Sequence, residues 1–136
     1  MLAIVLVGGF GTRLRPLTNH VPKQMLPICG LPMIEWVALQ LAKHGVSEMG
    51  LALGYRPDAF LNAYPGGTIA GLPYRVAVEP EVLGTAGAIR FALEELDVDE
   101  TVVALNGDVL TDLDITALVT FHQRHEAEGT IALQSV

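Results

Sequence analysis

The sequence predicts an α/β fold in which helices cover both faces of a mostly parallel sheet. The first run, Leu2–Val7, is a continuous aliphatic stretch, as expected for a parallel strand buried on both faces. Strand-like and helix-like stretches then alternate along the chain, which is typical of parallel sheets covered by helices. A glycine-rich loop begins at Gly8, directly after the first strand, where such sheets bind ligands.

The elements of the first half follow in order. Pro32 opens a helix whose apolar residues recur on one stripe, and Gly45 ends it. The apolar run Met49–Leu53 predicts the second strand, and Pro57–Tyr64 predicts a short helix. Proline and glycine dominate Pro65–Gly71, which we therefore expect to be a turn or loop.

The second half repeats the alternation. Tyr74–Val78 alternates as a third strand, and Thr85–Leu96 has the apolar spacing of a helix. Thr101–Leu105 predicts a fourth strand, and Ile115–Ala127 predicts a further helix. A fifth strand is expected over Thr130–Val136. The loops after strands one, three and four should then face one crevice at the carboxyl ends of the strands.

The bulk composition limits the class of protein. A chain of 136 residues can form one compact domain but not two, and 51% apolar with only 17% charged residues argues against disorder. No apolar run is long enough to cross a bilayer, and the apolar start lacks the basic leader of a signal peptide. Cys29, the single cysteine, cannot form an internal disulfide. We therefore expect a cytoplasmic protein that does not bind membranes.

The charge is unevenly distributed. The net charge is −7, and such an acidic protein is not expected to bind nucleic acid. Residues 1–25 nevertheless contain Arg13, Arg15 and Lys23 and no carboxylate, whereas acidic residues crowd between positions 94 and 114. A local positive site on an acidic protein suits the binding of a small polyanion.

The loop Gly8–Thr18 combines glycines with basic residues. Glycines allow backbone N–H groups to approach phosphate oxygens, although glycines alone are also typical of a plain strand-to-helix turn. A dinucleotide fingerprint would need glycine where Leu14 stands, and a P-loop would need a Gly-Lys-Ser/Thr end. Arg13 offers a planar fork for phosphate, and Lys23 after Pro22 offers a second, compact charge.

The run Gly8–Thr18, followed by Pro22–Pro27, closely resembles the signature of the sugar-1-phosphate nucleotidyltransferases. The resemblance implies a Rossmann-like nucleotide-binding fold, with Arg13 and Lys23 in the roles of the family's catalytic basic pair. The residues that it places around the triphosphate are Gly8, Gly9, Gly11 and Thr12.

Two later segments agree with this resemblance. Glu79–Ala88 resembles the family's base-recognition loop and the helix after it, with Glu79, Gly84 and Thr85 toward the nucleotide. Asn106-Gly107-Asp108 resembles its metal-binding turn, which makes Asp108 the expected ligand of Mg²⁺. The alternative for Asp108 is an ordinary Asn-Gly turn closed by an acidic residue.

The resemblance implies transfer of a nucleotidyl group from a nucleoside triphosphate to a sugar 1-phosphate, with release of pyrophosphate. The run from Glu79 looks most like the members that transfer guanylyl from GTP to mannose 1-phosphate. A thymidylyl- or uridylyltransferase acting on glucose 1-phosphate is the alternative enzyme. A nucleotide-binding regulatory module without turnover is the alternative outside the enzymes.

The resemblance covers essentially the whole chain but only the first half of the family's catalytic domain. We therefore expect residues 1–136 to be its nucleotide-binding N-terminal portion, incomplete and inactive alone. The second metal-binding aspartate and the Glu-Lys segment of the sugar pocket are not found in the sequence. A sheet interrupted near Ile131 would expose an apolar edge, through which we expect homo-oligomers to form.

Overall fold

The computed structural model describes residues 1–9, 11–54 and 57–133. Phe10 of the glycine loop lies outside the described residues. The strands are β1 (Leu2–Leu6), β2 (Pro27–Ile28), β3 (Leu31–Pro32), β4 (Glu48–Leu53), β5 (Thr68–Ile69), β6 (Leu72–Val78) and β7 (Val103–Asn106). The helices are α1 (Met33–Lys43), α2 (Pro57–Ala63), α3 (Gly84–Glu95) and α4 (Ile115–Arg124).

The main sheet has the strand order β5-β6-β4-β1-β7. β1 lies one strand in from the β7 edge and pairs in parallel with β4 and with β7, so that Ile4 is paired with Gly50 on one side and with Ala104 on the other. β4 and β6 are also parallel, and only the short β5 runs antiparallel to its neighbour. The prediction of a mostly parallel sheet is therefore confirmed.

Side chains leave β1 alternately toward the two faces of the sheet. Ala3 and Val5 join a core with residues of α1, α2 and α4, whereas Leu2 and Ile4 pack in a second core with residues of α3. Helices therefore cover both faces, as the sequence predicts. Each of these four strand residues is at most 4% exposed, which explains why the run is continuously aliphatic.

Three short strands were absent from the sequence prediction. β2 and β3 form an antiparallel hairpin within Pro27–Pro32, and β5 lies inside the segment Pro65–Gly71, which was predicted as turn or loop. Each of these strands has two residues, which is too short for an alternating pattern to register. Backbone pairing with a neighbouring strand defines them instead.

The predicted fifth strand over Thr130–Val136 is wrong for the residues that can be assessed. Thr130 to Leu133 form no strand, and residues 134–136 lie outside the described part. A strand needs a hydrogen-bonded neighbour, and within the described residues β7 pairs with β1 alone. Ile131 and Leu133 are accordingly 82% and 90% exposed.

The remaining boundaries differ by a few residues. β7 begins two residues later than the predicted Thr101, and α4 ends at Arg124 rather than at Ala127. No helix in the described ranges is long and apolar enough to cross a membrane.

Candidate active site

A cleft of about 500 Å³ lies at the carboxyl ends of β1, β6 and β7. Parallel strands bring their carboxyl ends to the same edge of a sheet, which places the three following loops together. The structure brings every residue predicted for the site into the lining of this one cleft. These residues are Gly8, Gly9, Gly11, Thr12, Arg13, Lys23, Glu79, Gly84, Thr85 and Asp108.

The glycine loop turns sharply after β1. A single 3-10 turn covers Thr12–Leu14, and Gly11 precedes it with φ +59°, a left-handed conformation that favours glycine. Its carbonyl accepts hydrogen bonds from the Leu14 N–H at 2.9 Å and from the Thr18 hydroxyl at 2.7 Å. Arg13 lies exposed on this turn and forms no ion pair among the described residues.

Lys23 and Asp108 form an ion pair across the cleft, from Lys23 Nζ to Asp108 Oδ2. Lys23 begins a 3-10 turn that Pro22 introduces, whereas Asp108 follows β7. The side chains are 31% and 29% exposed, so both charges remain accessible from the cleft. The predicted phosphate-binding cation and the predicted metal ligand therefore neutralise each other.

The turn that carries Asp108 is fixed against β1. Gly107 donates its N–H to the Leu6 carbonyl at 2.9 Å, and Val109 donates to the Asn106 carbonyl at 3.3 Å. A Cβ at Gly107 would lie 3.0 Å from Val5 Cγ1 and 3.2 Å from the Leu6 oxygen, so a side chain there would require these neighbours to shift by a few tenths of an ångström. Close packing thus holds Asp108 at the floor of the cleft.

The chemistry of Asp108 fits a magnesium ion that is bound chiefly by its substrate. Among the described residues, no group of three or more His, Cys, Asp or Glu could hold a metal. Mg²⁺ in nucleotide sites characteristically takes one or two carboxylates together with water and phosphate oxygens. The carboxylate of Asp108, beside the glycine loop that is predicted to bind phosphate, suits that mode of binding.

Glu79 directly follows β6 on the other side of the cleft and is half-buried. Its Oε2 accepts a hydrogen bond from the Leu83 N–H at 3.3 Å, which ties the carboxylate to the start of α3. Its Oε1 would lie 3.5 Å from a Cβ at Gly8. The carboxylate therefore lies between the glycine loop and the loop that joins β6 to α3, and both of its oxygens can accept further hydrogen bonds.

A sequence profile described as "Nucleotidyl transferase" matches residues 2–136. The chain belongs to the nucleotidyl transferase family. It is 40% identical over 134 residues to the mannose-1-phosphate guanylyltransferase of Mycobacterium tuberculosis, covering 98% of this chain and 37% of that protein. It is 41% identical over 140 residues to that of Emericella nidulans, covering 100% and 38%. The chain thus spans well under half the length of these relatives.

Solved structures share the fold of this chain. HddC of Yersinia pseudotuberculosis, crystallised with GMP-PN, has a TM-score of 0.77 and 28% identity, over 89% of this chain and 53% of that one. The putative glucose-1-phosphate thymidylyltransferase of Bacillus anthracis has a TM-score of 0.79 at 24% identity, over 91% and 51%. The latter similarity concerns the fold alone.

The cleft also contains residues to which the sequence analysis assigned no role, among them Gln24, Val82 and Asn106. Gln24 is 3% exposed, and its Oε1 has no hydrogen-bond partner within the described part of the chain. A buried acceptor without a donor costs about 1–3 kcal/mol, so a ligand N–H or O–H would be favoured there. A polar residue placed directly before the apolar Met25-Leu26 was the available signal.

Proposed function

We propose that this chain is the nucleotide-binding N-terminal portion of an enzyme that transfers guanylyl from GTP to mannose 1-phosphate. One observation carries the proposal: residues scattered from Gly8 to Asp108 converge on a single cleft of about 500 Å³. The relatives named mannose-1-phosphate guanylyltransferases support the choice of substrates. Mg²⁺ as cofactor and a cytoplasmic location belong to the same proposal.

The reaction that we propose is a displacement at the α-phosphorus. A phosphate oxygen of the sugar 1-phosphate forms a bond to that phosphorus, and the bond from the α-phosphorus to the oxygen that bridges to the β-phosphate breaks. Pyrophosphate leaves with the electron pair. The nucleophile is already an anion, so the protein need not remove a proton. The task of the site is to position two anions and to stabilise charge on the leaving group.

The basic residues of the first loop suit that task. Arg13, which has no carboxylate partner among the described residues, would hold the pyrophosphate portion through its planar fork. Lys23 would move from Asp108 to the α-phosphate, since a triphosphate offers it several anionic oxygens. Asp108 would then be released to hold Mg²⁺. When bound, that ion would neutralise further phosphate charge.

Base preference would rest on Glu79. Guanine presents N1–H and its exocyclic amine side by side, which a carboxylate can accept together, whereas thymine and uracil present one N–H between two carbonyls. Glu79→Gln should therefore weaken GTP selectively and narrow its advantage over dTTP and UTP. Competition binding of the four triphosphates measures this, and a clear preference of the parent chain for dTTP or UTP would refute the guanine assignment.

A nucleotide-binding module without turnover is the second candidate. It is favoured by the lack, among the described residues, of a second carboxylate next to Asp108 at the expected metal position. Pyrophosphate release from GTP and mannose 1-phosphate separates the two functions. We expect no release from the 136 residues alone and release when the chain is extended to the length of its relatives.

The phosphate-binding role of the basic pair can be tested on the chain as it is. Arg13→Ala and Lys23→Ala should each weaken Mg·GTP roughly tenfold to a hundredfold, since each removes one charge-assisted contact worth about 1.5–3 kcal/mol. Arg15→Ala is the matched control, because Arg15 lies on the same exposed loop but does not line the cleft. NMR titration measures these affinities. Parental Mg·GTP affinity in both variants would contradict the proposed site.

A further inference from the structure

Thr18 closes the glycine loop on itself. Its hydroxyl donates a hydrogen bond of 2.7 Å to the Gly11 carbonyl, and the N–H of Leu14 donates to the same carbonyl at 2.9 Å. A carbonyl oxygen has two lone pairs, so these two donors occupy it fully. The Gly11 carbonyl oxygen thereby links the start of the segment 11–18 to its middle, at Leu14, and to its end, at Thr18.

Thr18 also packs against the one face of Gly11 that a side chain would occupy. A Cβ at Gly11 would lie 3.0 Å from Thr18 Cγ2 and 3.2 Å from Thr18 Cβ, with Lys23 Cβ at 3.5 Å. The threonine therefore fixes the glycine by a hydrogen bond and by contact, immediately beside the base of Lys23. Thr18 itself is half-buried and is not among the residues that line the cleft.

The bond to the Gly11 carbonyl also sets the direction of the next N–H. In a planar trans peptide the C=O and the N–H point in opposite directions. With the Gly11 oxygen held toward Thr18, the Thr12 N–H points away from Thr18. Gly11 and Thr12 both line the cleft, so a ligand in the cleft can contact the peptide that joins them. An inverted peptide would instead present a carbonyl oxygen, which repels phosphate.

We propose that Thr18 is a positioning residue that fixes the Gly11–Thr12 peptide in the orientation that binds the triphosphate. This inference rests on the proposed function, because it assumes that phosphate occupies the glycine loop. Thr18 acts through Gly11 and does not touch the ligand. Its hydroxyl carries the effect, and its methyl group contributes packing only.

Two substitutions separate the hydroxyl from the methyl group. Thr18→Val keeps the shape and removes the donor, whereas Thr18→Ser keeps the donor and removes the methyl group. We expect Thr18→Val to weaken Mg·GTP and Mg·pyrophosphate about tenfold, which corresponds to about 1.4 kcal/mol and to the loss of one hydrogen bond. Thr18→Ser should bind both ligands with an affinity within about twofold of that of the parent chain, because serine keeps the hydroxyl that donates the hydrogen bond.

NMR on the 136-residue chain supplies both readouts. Titration gives the affinities, and hydrogen exchange of the Leu14 amide reports the loop without any ligand. In Thr18→Val the Leu14 amide should lose protection, whereas the amides of β1 should keep theirs. The same substitution should reduce the affinity for GMP, which lacks the β- and γ-phosphates, much less than the affinity for Mg·GTP. Unchanged Leu14 protection in Thr18→Val would overturn the proposal, as would parental Mg·GTP affinity in that variant.

Failure of the proposed function is recognised separately. If the parent chain binds no triphosphate and no pyrophosphate at millimolar concentration, the proposal that the cleft binds a nucleoside triphosphate is wrong. The positioning role of Thr18 is then wrong as well. The Leu14 protection then still shows whether Thr18 holds the loop. Equal losses of affinity in Thr18→Ser and Thr18→Val would assign the effect to packing and overturn the role of the hydroxyl.

Discussion

The two walls of the cleft are built on very different strands. β1, which leads into the glycine loop, is paired on both sides, and four of its five residues are buried. β7, which leads into the Asp108 turn, alternates between half-buried and exposed residues and, within the described chain, pairs with β1 alone. Apolar side chains beyond it remain exposed, among them Val109 at 49% and Phe121 at 53%.

The two strands therefore differ in how many neighbouring strands of this chain support the loop that follows each of them. The glycine loop extends from a strand whose position is fixed by neighbours within this chain. The Asp108 turn depends on one neighbouring strand and on the fit of Gly107 against it. We therefore expect the chain to hold the glycine loop firmly and the Asp108 turn with less support of its own.

The largest expected effect tests this difference in the cores beneath the two walls. Ile4→Ala in β1 removes a side chain that is 0% exposed and should lower the free energy of unfolding by about 3–4 kcal/mol. Leu105→Ala in β7 removes a half-buried side chain and should cost about 1–2 kcal/mol. Urea unfolding measures both, and equal costs would contradict the comparison.

The second prediction concerns the charge at the weaker wall. Asp108→Asn keeps the shape of the turn but removes the charge expected to hold Mg²⁺, so Mg·GTP should bind roughly thirtyfold more weakly, about 2 kcal/mol. Added Mg²⁺ should restore little of the affinity. Asp112→Asn is the control, because Asp112 is an exposed aspartate of the same loop that lies outside the cleft. If both variants titrate like the parent chain, Asp108 is only a turn residue.

The smallest effect is expected from a single methyl group in the firmer wall. Gly11→Ala places a side chain at φ +59° and against Thr18, and should destabilise the fold by about 1–2 kcal/mol. In Gly9→Ala no atom of the described residues beyond the chain neighbours lies within 4 Å of the new Cβ, so stability should change by less than about 0.5 kcal/mol. Thermal unfolding measures both. Similar midpoints for the two variants would show that the loop adapts to the added methyl group.

The sequence predicted the long elements and the gathering of the site because both follow from simple periodicities. Continuous apolar runs mark buried parallel strands such as Leu2–Leu6, and parallel strands end at one edge. The predicted strand over Thr130–Val136 failed because an apolar pattern cannot supply a hydrogen-bonded neighbour. Its last three residues, 134–136, lie outside the described part of the chain.

The pattern of residue types in the sequence could not predict which side chains contact each other. Lys23 and Asp108 are 85 positions apart, and their pairing depends on how two loops turn after their strands. Gln24 is part of the motif Pro22–Pro27 but was assigned no role, and nothing in the sequence indicated that it would be buried with an Oε1 that lacks a donor among the described residues. The roles assigned to the ten cleft residues stay predictions until the binding experiments are done.

The bond from the Gly107 N–H to the Leu6 carbonyl has a dimensional consequence. Gly107 lies one residue before Asp108, and Leu6 lies two residues before Gly8, so a single contact acts as a spacer between the two walls. Because a Cβ at Gly107 would lie only 3.2 Å from the Leu6 oxygen, the two backbones are in close contact at this point. Main-chain atoms thus set the width of the cleft between the glycine loop and the Asp108 turn. We expect substitutions of the side chains that line the cleft to leave this width unchanged.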